Sequence, residues 1–429
     1  MSATEESLES LDAFESRVGK WIAANLPSWD DPPADSHQLQ QLLFDNGLGG
    51  IAFPRAYGGA GLSLEHQKVF FEAAANLKRQ VPVTYQVSIG MLGPTILDHG
   101  SPEAKLRFLP PLLRGDEVWL QLLSEPRGGS DMAGCITRLT RDGDSYILNG
   151  AKMWSTGALD ADYGLCLCRS DWEAPKHRGL SMIAVPMKGT QGLSVEPIRA
   201  ATGQIGEFCQ EFFDDIVLPA ENLIGEENKG WAVAQTLLLH ERNAVGSIGF
   251  GYLGEGGPGA LRQGTYNTVT PAELATAARR RGVGAAVATM IADSYIESVV
   301  GPLTSNRIMS GLRLGAHQGQ WGSLSKLQGS VAKHDAVRTT LAALGADALI
   351  WDGEEIRTDN PGTLWLGSRG GTIAGGSNEM QRNIIGERLL GLPREPSLDR
   401  DIPFSAVIRN LGKFAGTPPA GSQADGKPY

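Results

Sequence analysis

The sequence has little of what marks a membrane, secreted, metal-bound or nucleic-acid-binding chain. No apolar run reaches the roughly 18–20 residues that cross a bilayer as a helix, so no membrane span is expected. The N-terminal stretch MSATEESLESLDAFESR is acidic and has no apolar core, so a signal peptide is not expected. There are only four cysteines, Cys135, Cys166, Cys168 and Cys209, and no CxxC pair. Reduced, buried thiols in a cytoplasmic protein are the expectation, with Cys166 and Cys168 on one face of a strand. The 7 histidines show no metal-ligand spacing, so no metal is expected. Lys+Arg number 38 against 48 Asp+Glu, a net charge of −10, which argues against nucleic acid as the main partner. An anionic ligand remains compatible, because loops and helix N-termini bind anions whatever the net charge.

What is present is the composition of a globular protein of two or three domains: 429 residues, 41% hydrophobic and 20% charged. Leu8, Leu11, Phe14, Val18, Trp21 and Ile22 recur at helical spacing, and Asn25-Leu26-Pro27 should end that helix. The glycine-rich stretch Gly49–Gly61 reads as a loop and Ser63–Lys78 as a helix. Ser101-Pro102-Glu103 reads as the start of another, with Pro110 and Pro111 interrupting it. From Val118 to about Gly225 the chain reads as strands: a hairpin turn at Arg141–Asp144, and extended runs Tyr163–Cys168, Leu180–Pro186 and Phe208–Val217. Helical patterning returns at Gly230-Trp231. A flexible loop is expected at Gly249–Gly264, helices from about Pro271 to Leu390, and a disordered tail at Gly416–Tyr429. The expected division is 1–118 helical, 119–225 β, 226–400 helical and 401–429 tail.

Three clusters carry chemistry. Gln121-Leu122-Leu123-Ser124-Glu125-Pro126-Arg127-Gly128-Gly129-Ser130-Asp131 offers hydroxyls and backbone N–H groups to a flat polar ligand, although alone it reads as a turn. Asn149–Gly157 carries Trp154, Ser155 and Thr156; alone, Trp154 reads as a core residue. Gly375-Gly376-Ser377-Asn378-Glu379-Met380-Gln381-Arg382 leads two glycines into a helix whose N-terminus suits an anionic or carbonyl group.

Together and in this order, the clusters resemble the acyl-CoA dehydrogenase family over roughly Leu8–Phe404. SEPRGGSD is similar to the family's T/S-E-P-x-x-G-S-D, LNGAKMWST to its N-G-x-K-x-W-I-T, and GGSNEMQRNIIGERLLGLPRE to its C-terminal signature. The resemblance implies an α+β multidomain fold: an N-terminal α-helical domain, a middle β-barrel domain and a C-terminal four-helix bundle. It also implies FAD as cofactor, an acyl-CoA substrate, an electron-transferring flavoprotein as electron acceptor, and a homo- or hetero-oligomer. By resemblance Gln121, Leu123, Ser124 and Ser130 line the flavin, and Trp154, Ser155 and Thr156 pack against its ring. Ser377 and Glu379 meet the rest of FAD. Ser130, Leu239, Arg242 and the Gly375 backbone meet the acyl-CoA.

Removing a proton from the carbon beside a thioester needs a carboxylate base and a polarised carbonyl. Where much of the family carries its base, this sequence has Gly375. Isovaleryl- and long-chain-type members carry it on the helix after the β-domain, in a G-W … E-R pattern, and Gly230-Trp231 … Glu241-Arg242 matches that. Glu241 is therefore the expected base; a helical glutamate paired with a nearby cation is the plainer reading. His240 should face elsewhere on the helix. Lys176-His177-Arg178-Gly179 reads as a solvated basic turn or as a contact for CoA phosphates.

Two stretches depart from the family pattern. The R-x-x-F-G motif that reaches a neighbour's FAD is absent from Ala275–Gly284, where Arg279–Arg281 stand instead, and L-G-G-x-G is replaced by Leu344-Gly345-Ala346-Asp347-Ala348. Two functions follow: an active dehydrogenase, or a catalytically silent subunit of a hetero-oligomer. Another flavin chemistry on the same scaffold is a weaker third.

Overall fold

In a computed structural model, the structure describes residues 8–25, 36–73, 87–246, 269–317, 320–350, 360–396, 399 and 401–409. The expected loop at 249–264, the tail at 416–429, the stop at 26–27 and the end of the helix at 74–78 lie outside them.

The first segment is helical: α1 (Leu11–Asn25), α2 (Ser36–Asp45), α3 (Leu64–Ala73), α4 (Gly93–His99) and α5 (Pro102–Arg114). On α1 Phe14 and Val18 are fully buried and Trp21 and Ile22 pack against the same core, while Leu11, and Leu8 ahead of the helix, are exposed. At α5, Ser101 caps the helix by accepting from the Ala104 N–H at 3.1 Å, and Pro102 takes the first position, as expected. Pro110 and Pro111 do not interrupt it; the helix runs to Arg114 and closes at Gly115 in the left-handed region. An internal proline costs about 3 kcal/mol. Burying Phe108, Leu109, Leu112 and Leu113 contributes about 1.5–3 kcal/mol each, which is the larger effect.

The middle segment is a curled sheet of seven strands: β1 (Trp119–Leu122), β2 (Arg138–Asp142), β3 (Ser145–Thr156), β4 (Tyr163–Arg169), β5 (Leu180–Pro186), β6 (Leu193–Arg199) and β7 (Ile205–Pro219). The order is β1-β4-β2-β3-β7-β6, with β5 also pairing with β4. The β2–β3 hairpin turns at Gly143, as the sequence indicates. β4 is covered on both faces. Leu165 and Leu167 join a core shared with the N-terminal helices, while Cys166 and Cys168 point into the core enclosed by the sheet. All four cysteines are buried and free, and burial pushes the Cys135 and Cys166 thiols up to about 11 and about 12.

The last segment contains α6 (Gly230–Gly246), α7 (Pro271–Arg281), α8 (Ala285–Arg313), α9 (Gly322–Leu344), α10 (Pro361–Ile373), α11 (Asn378–Ile384) and α12 (Phe404–Arg409). Thr270 and Glu273 form a reciprocal capping box at the start of α7. The centre of the bundle is α9, which packs against α6, α7, α8, α10 and α11. Its buried positions are small, among them Ser323, Ser330 and Ala343, which lets neighbours approach closely. Among the described residues no helix is long and apolar enough to cross a membrane, and no cluster suits a metal ion.

Candidate active site

Strand β1 delivers Gln121 to α6. The Gln121 amide donates to Glu241 Oε2 at 3.4 Å, and Gln121 Oε1 is buried without a partner. From the far side comes Gly375, at φ +65°; a Cβ placed there would stand 3.7 Å from Glu241 Oε1. A side chain at 375 and the carboxylate of Glu241 are thus aimed at the same space. The left-handed backbone suits glycine, and α6 supplies the carboxylate. Gly376 is also left-handed, at φ +82°. Gln381 fastens the turn by donating to the carbonyls of Gly375 and Gly376 at 3.0 and 3.2 Å, and its own Oε1 is buried without a partner.

Ser377 then caps α11, accepting from the Met380 N–H. Glu379 is exposed, and its own backbone N–H, Ser377 and Arg382 hold its carboxyl below the ordinary value. Asn378 turns inward, where its Oδ1 accepts from Ser330 Oγ at 2.6 Å and Lys326 Nζ at 3.3 Å. Lys326 was not legible as a site residue, since nothing in its local pattern separates it from a surface lysine. Burial drives its ammonium down to about 8, against the opposing pull of Glu379 and Glu241.

The second cluster joins the first through β1. Two residues past the end of β1, the Ser124 carbonyl accepts from the Met153 N–H at 2.9 Å. The next residue is Trp154. Expected alone to be core, it is 54% exposed. The reason is a break in the β3–β7 register between Met153 and Ser155, which leaves Trp154 unpaired at φ +69°. Bulges re-aim side chains next to functional sites, and a non-glycine residue at positive φ is strained by about 1–3 kcal/mol. The Phe208 ring meets Trp154 edge-on at 6.0 Å. Ser130 is exposed and Thr156 half-buried. Ser155 points the other way: its hydroxyl is buried and donates to Glu211 at 2.8 Å, so only its backbone can face a ligand beside Trp154.

Beneath this surface lies one lysine with two acids. Lys152 and Glu211 are register partners across β3 and β7, both fully buried. Yet Lys152 Nζ goes to Glu125 Oε1 at 2.9 Å and the Leu123 carbonyl at 3.1 Å. Glu125 also accepts from the Ile136 and Thr137 N–H groups, at 2.8 and 2.9 Å. Burial alone would raise the Glu125 carboxyl, but the Lys152 charge and those donors bring it down to about 2. Glu211 is left with Ser155 and Oε1 unpartnered, and burial pushes its carboxyl up to about 7. The two-residue alternation Cys209, Glu211, Phe213 in β7 was a sequence signal for this buried acid.

A carboxyl whose folded value lies above its ordinary 4.5 favours the folded state when protonated. Stability should therefore fall as pH rises from about 4.5 to about 7, by on the order of 3 kcal/mol, and stay low above that. Glu211→Gln should remove the slope and raise the melting temperature at pH 8. Melting curves between pH 4.5 and 8 check this; equal slopes in both proteins would contradict it.

The remaining candidates are placed as follows. Leu239 is exposed on α6, and the side chain of Arg242 lies outside what the structure describes. His240 faces away from the site, as expected, with Nε2 3.1 Å from Asp98. Within the basic turn His177 and Arg178 are exposed, whereas Lys176 pairs with Asp131 and Asp399. Arg281 pairs with Asp347, so the two departures from the family pattern meet each other.

Family models match nearly end to end: the acyl-CoA dehydrogenase N-terminal domain at residues 4–116, the middle domain at 121–216 and the C-terminal domain at 228–390. The chain is 31% identical over 408 residues to acyl-CoA dehydrogenase IpdE1 of Mycolicibacterium smegmatis, covering 90% of this chain and 98% of that one. It is 32% identical over 410 residues to IpdE1 of Mycobacterium tuberculosis, covering 90% and 99%. Among solved structures it resembles the Tcur3481-Tcur3483 steroid ACAD (27% identity, TM-score 0.67, 90% and 98% covered). It also resembles the ChsE4-ChsE5 complex of Mycobacterium tuberculosis (25% identity, TM-score 0.66, 92% and 100% covered). With helices, curled sheet and helices in the family's order and all three motif clusters in place, the chain belongs to the acyl-CoA dehydrogenase family, flavin-dependent oxidoreductases.

Proposed function

We propose that this chain catalyses the FAD-dependent α,β-dehydrogenation of an acyl-CoA thioester to the 2-enoyl-CoA, with Glu241 as the general base. The observation that carries the reading is the convergence of Glu241 Oε1 on the space a side chain at Gly375 would enter. The residues present suit a flavin: Trp154 is an exposed aromatic platform, and Gln121 and Gln381 each keep a buried amide oxygen without a partner. Ser124, Ser130, Trp154 and Thr156 would hold its ring side, and Ser377 and Glu379 the rest. Bound FAD would supply the acceptor for the hydrogen that leaves the substrate β-carbon, before electrons pass to an electron-transferring flavoprotein.

The chain's own part is the α-proton. Glu241 accepts it, oriented by the Gln121 amide. The Gly375 N–H donates to the thioester oxygen, where negative charge develops; one such donor is typically worth about 10²–10³ in rate. Lys326 is close enough for Glu241 to oppose the lowering of its own ammonium by burial.

The second reading is a silent subunit of a hetero-oligomer. It is favoured by the Arg281–Asp347 pair, which ties up one of the arginines standing where the family's interface motif is absent. A visible spectrum of the purified chain, followed by anaerobic titration with short, branched and polycyclic acyl-CoAs, separates the two. Flavin bands bleached by one thioester class support the dehydrogenase. A folded, colourless protein supports the silent subunit.

A further inference from the structure

The basic turn between β4 and β5 connects two distant parts of the chain. Lys176 Nζ lies 2.9 Å from Asp131 Oδ1 and 2.7 Å from Asp399 Oδ2, with its side chain only 12% exposed. Asp131 ends the Ser124–Asp131 loop. Asp399 lies beyond residue 390, where the C-terminal family match stops.

The segment after Asp399 is anchored on the connection between β4 and β5. Phe404 N–H donates to the Ala174 carbonyl at 3.1 Å, and Ser405 N–H to the Trp172 carbonyl at 2.8 Å. The Phe404 ring is buried beneath the guanidinium of Arg169, 3.8 Å from its centroid. Arg169 in turn donates to the Ala133 carbonyl at 2.6 Å and the Lys176 carbonyl at 2.8 Å. Residues 131–135, the exit of the loop, are therefore gripped by Lys176 and Arg169, and each of those touches the C-terminal segment.

Glu125 holds the start of the loop, but residues 126–131 are exposed and have little packing of their own. Gly128 has nothing within 4 Å of where a Cβ would stand, and Asp131 is 63% exposed. An exposed ion pair by itself does little to order a loop. A lysine already immobilised by a second carboxylate orders it further, because its side-chain freedom is lost once for two contacts.

We propose that Asp399 and residues 401–409 form a strap that fixes the Ser124–Asp131 loop through Lys176, making Lys176 a positioning residue for flavin binding. The flavin part rests on the reading above. A loop ordered before the ligand arrives removes that ordering cost from binding. Asp399 and Asp131 meet the same Lys176 Nζ, so an effect of Asp399 on the loop that passes through Lys176 should vanish once Lys176 is removed.

The test uses the full-length chain. FAD affinity is measured by fluorescence for the unaltered protein, Asp399→Asn, Lys176→Met, the double variant and Lys176→Arg. Asp399→Asn should weaken FAD by about tenfold, within the usual span of coupling between sites. Lys176→Met should weaken it at least as much, the double variant no more than Lys176→Met, and Lys176→Arg should keep most of the affinity. A strap that only stabilised the fold would lower the melting temperature and leave FAD affinity at 25 °C unchanged, which would overturn the proposal. Amide exchange at residues 128–135 gives a second readout without cofactor. It should quicken in Asp399→Asn, and unchanged exchange would also overturn the proposal. If the unaltered chain takes up no FAD, the cofactor reading fails, while amide exchange still decides the strap.

Discussion

Glu241→Gln should slow acyl-CoA dehydrogenation by about 10²–10⁴-fold, the usual contribution of a positioned general base. The change is nearly isosteric, and Glu241 is only half-buried on α6, so the fold should survive it. The amide cannot take a proton at the position where the carboxylate accepts one. Because proton removal belongs to the chemical step, kcat should fall and acyl-CoA should still bind. Stopped-flow bleaching of the flavin under anaerobic conditions reads this directly. Full-rate bleaching in Glu241→Gln would remove Glu241 from the mechanism. Glu379 is a poor substitute, being exposed and engaged with its own helix N-terminus and Arg382.

Lys152→Met should be the most damaging single change to the folded protein, at about 3–5 kcal/mol, the usual effect of removing one partner of a buried ion pair. Glu125 would keep two backbone donors at 2.8 and 2.9 Å but lose its ion-pair partner. The Leu123 carbonyl would lose a donor as well. Part of the loss should return in Lys152→Met combined with Glu125→Gln, because a neutral amide is far less costly to bury than a carboxylate. Urea unfolding midpoints measure both. A loss below about 1 kcal/mol for Lys152→Met would mean that the pair contributes as little as a surface ion pair.

Local features of this fold were legible in the sequence because their causes are local. Ser101-Pro102 announces α5, Asp142-Gly143 turns the β2–β3 hairpin, and Leu180–Pro186 is a strand with the predicted ends. What failed depends on distant partners. The proline pair in α5 is overridden by burial of Phe108, Leu109, Leu112 and Leu113. The exposure of Trp154 is set by register against β7, more than fifty residues away in the chain. The candidate base was found by motif, whereas its surroundings were not. The approach of Gly375 to Glu241 and the burial of Lys326 depend on how α6, α9 and α11 meet, and no short window of sequence holds that information.

The double burial of β4 also determines how the molecule comes apart. Leu165 and Leu167, with Leu180 and Met182 of β5, share one apolar core with Phe108 and Leu112 of α5 and with Val233 and Leu237 of α6. Helices before and after the sheet therefore complete the same interior, and the changes in secondary structure near residues 118 and 225 are not breaks in it. A fragment ending at 118, or one beginning at 119, would expose half of that interior to water. Helices α5 and α6 meet β4 and β5 in that one interior, and the carboxylate on α6 keeps its place beside β1 only while it holds.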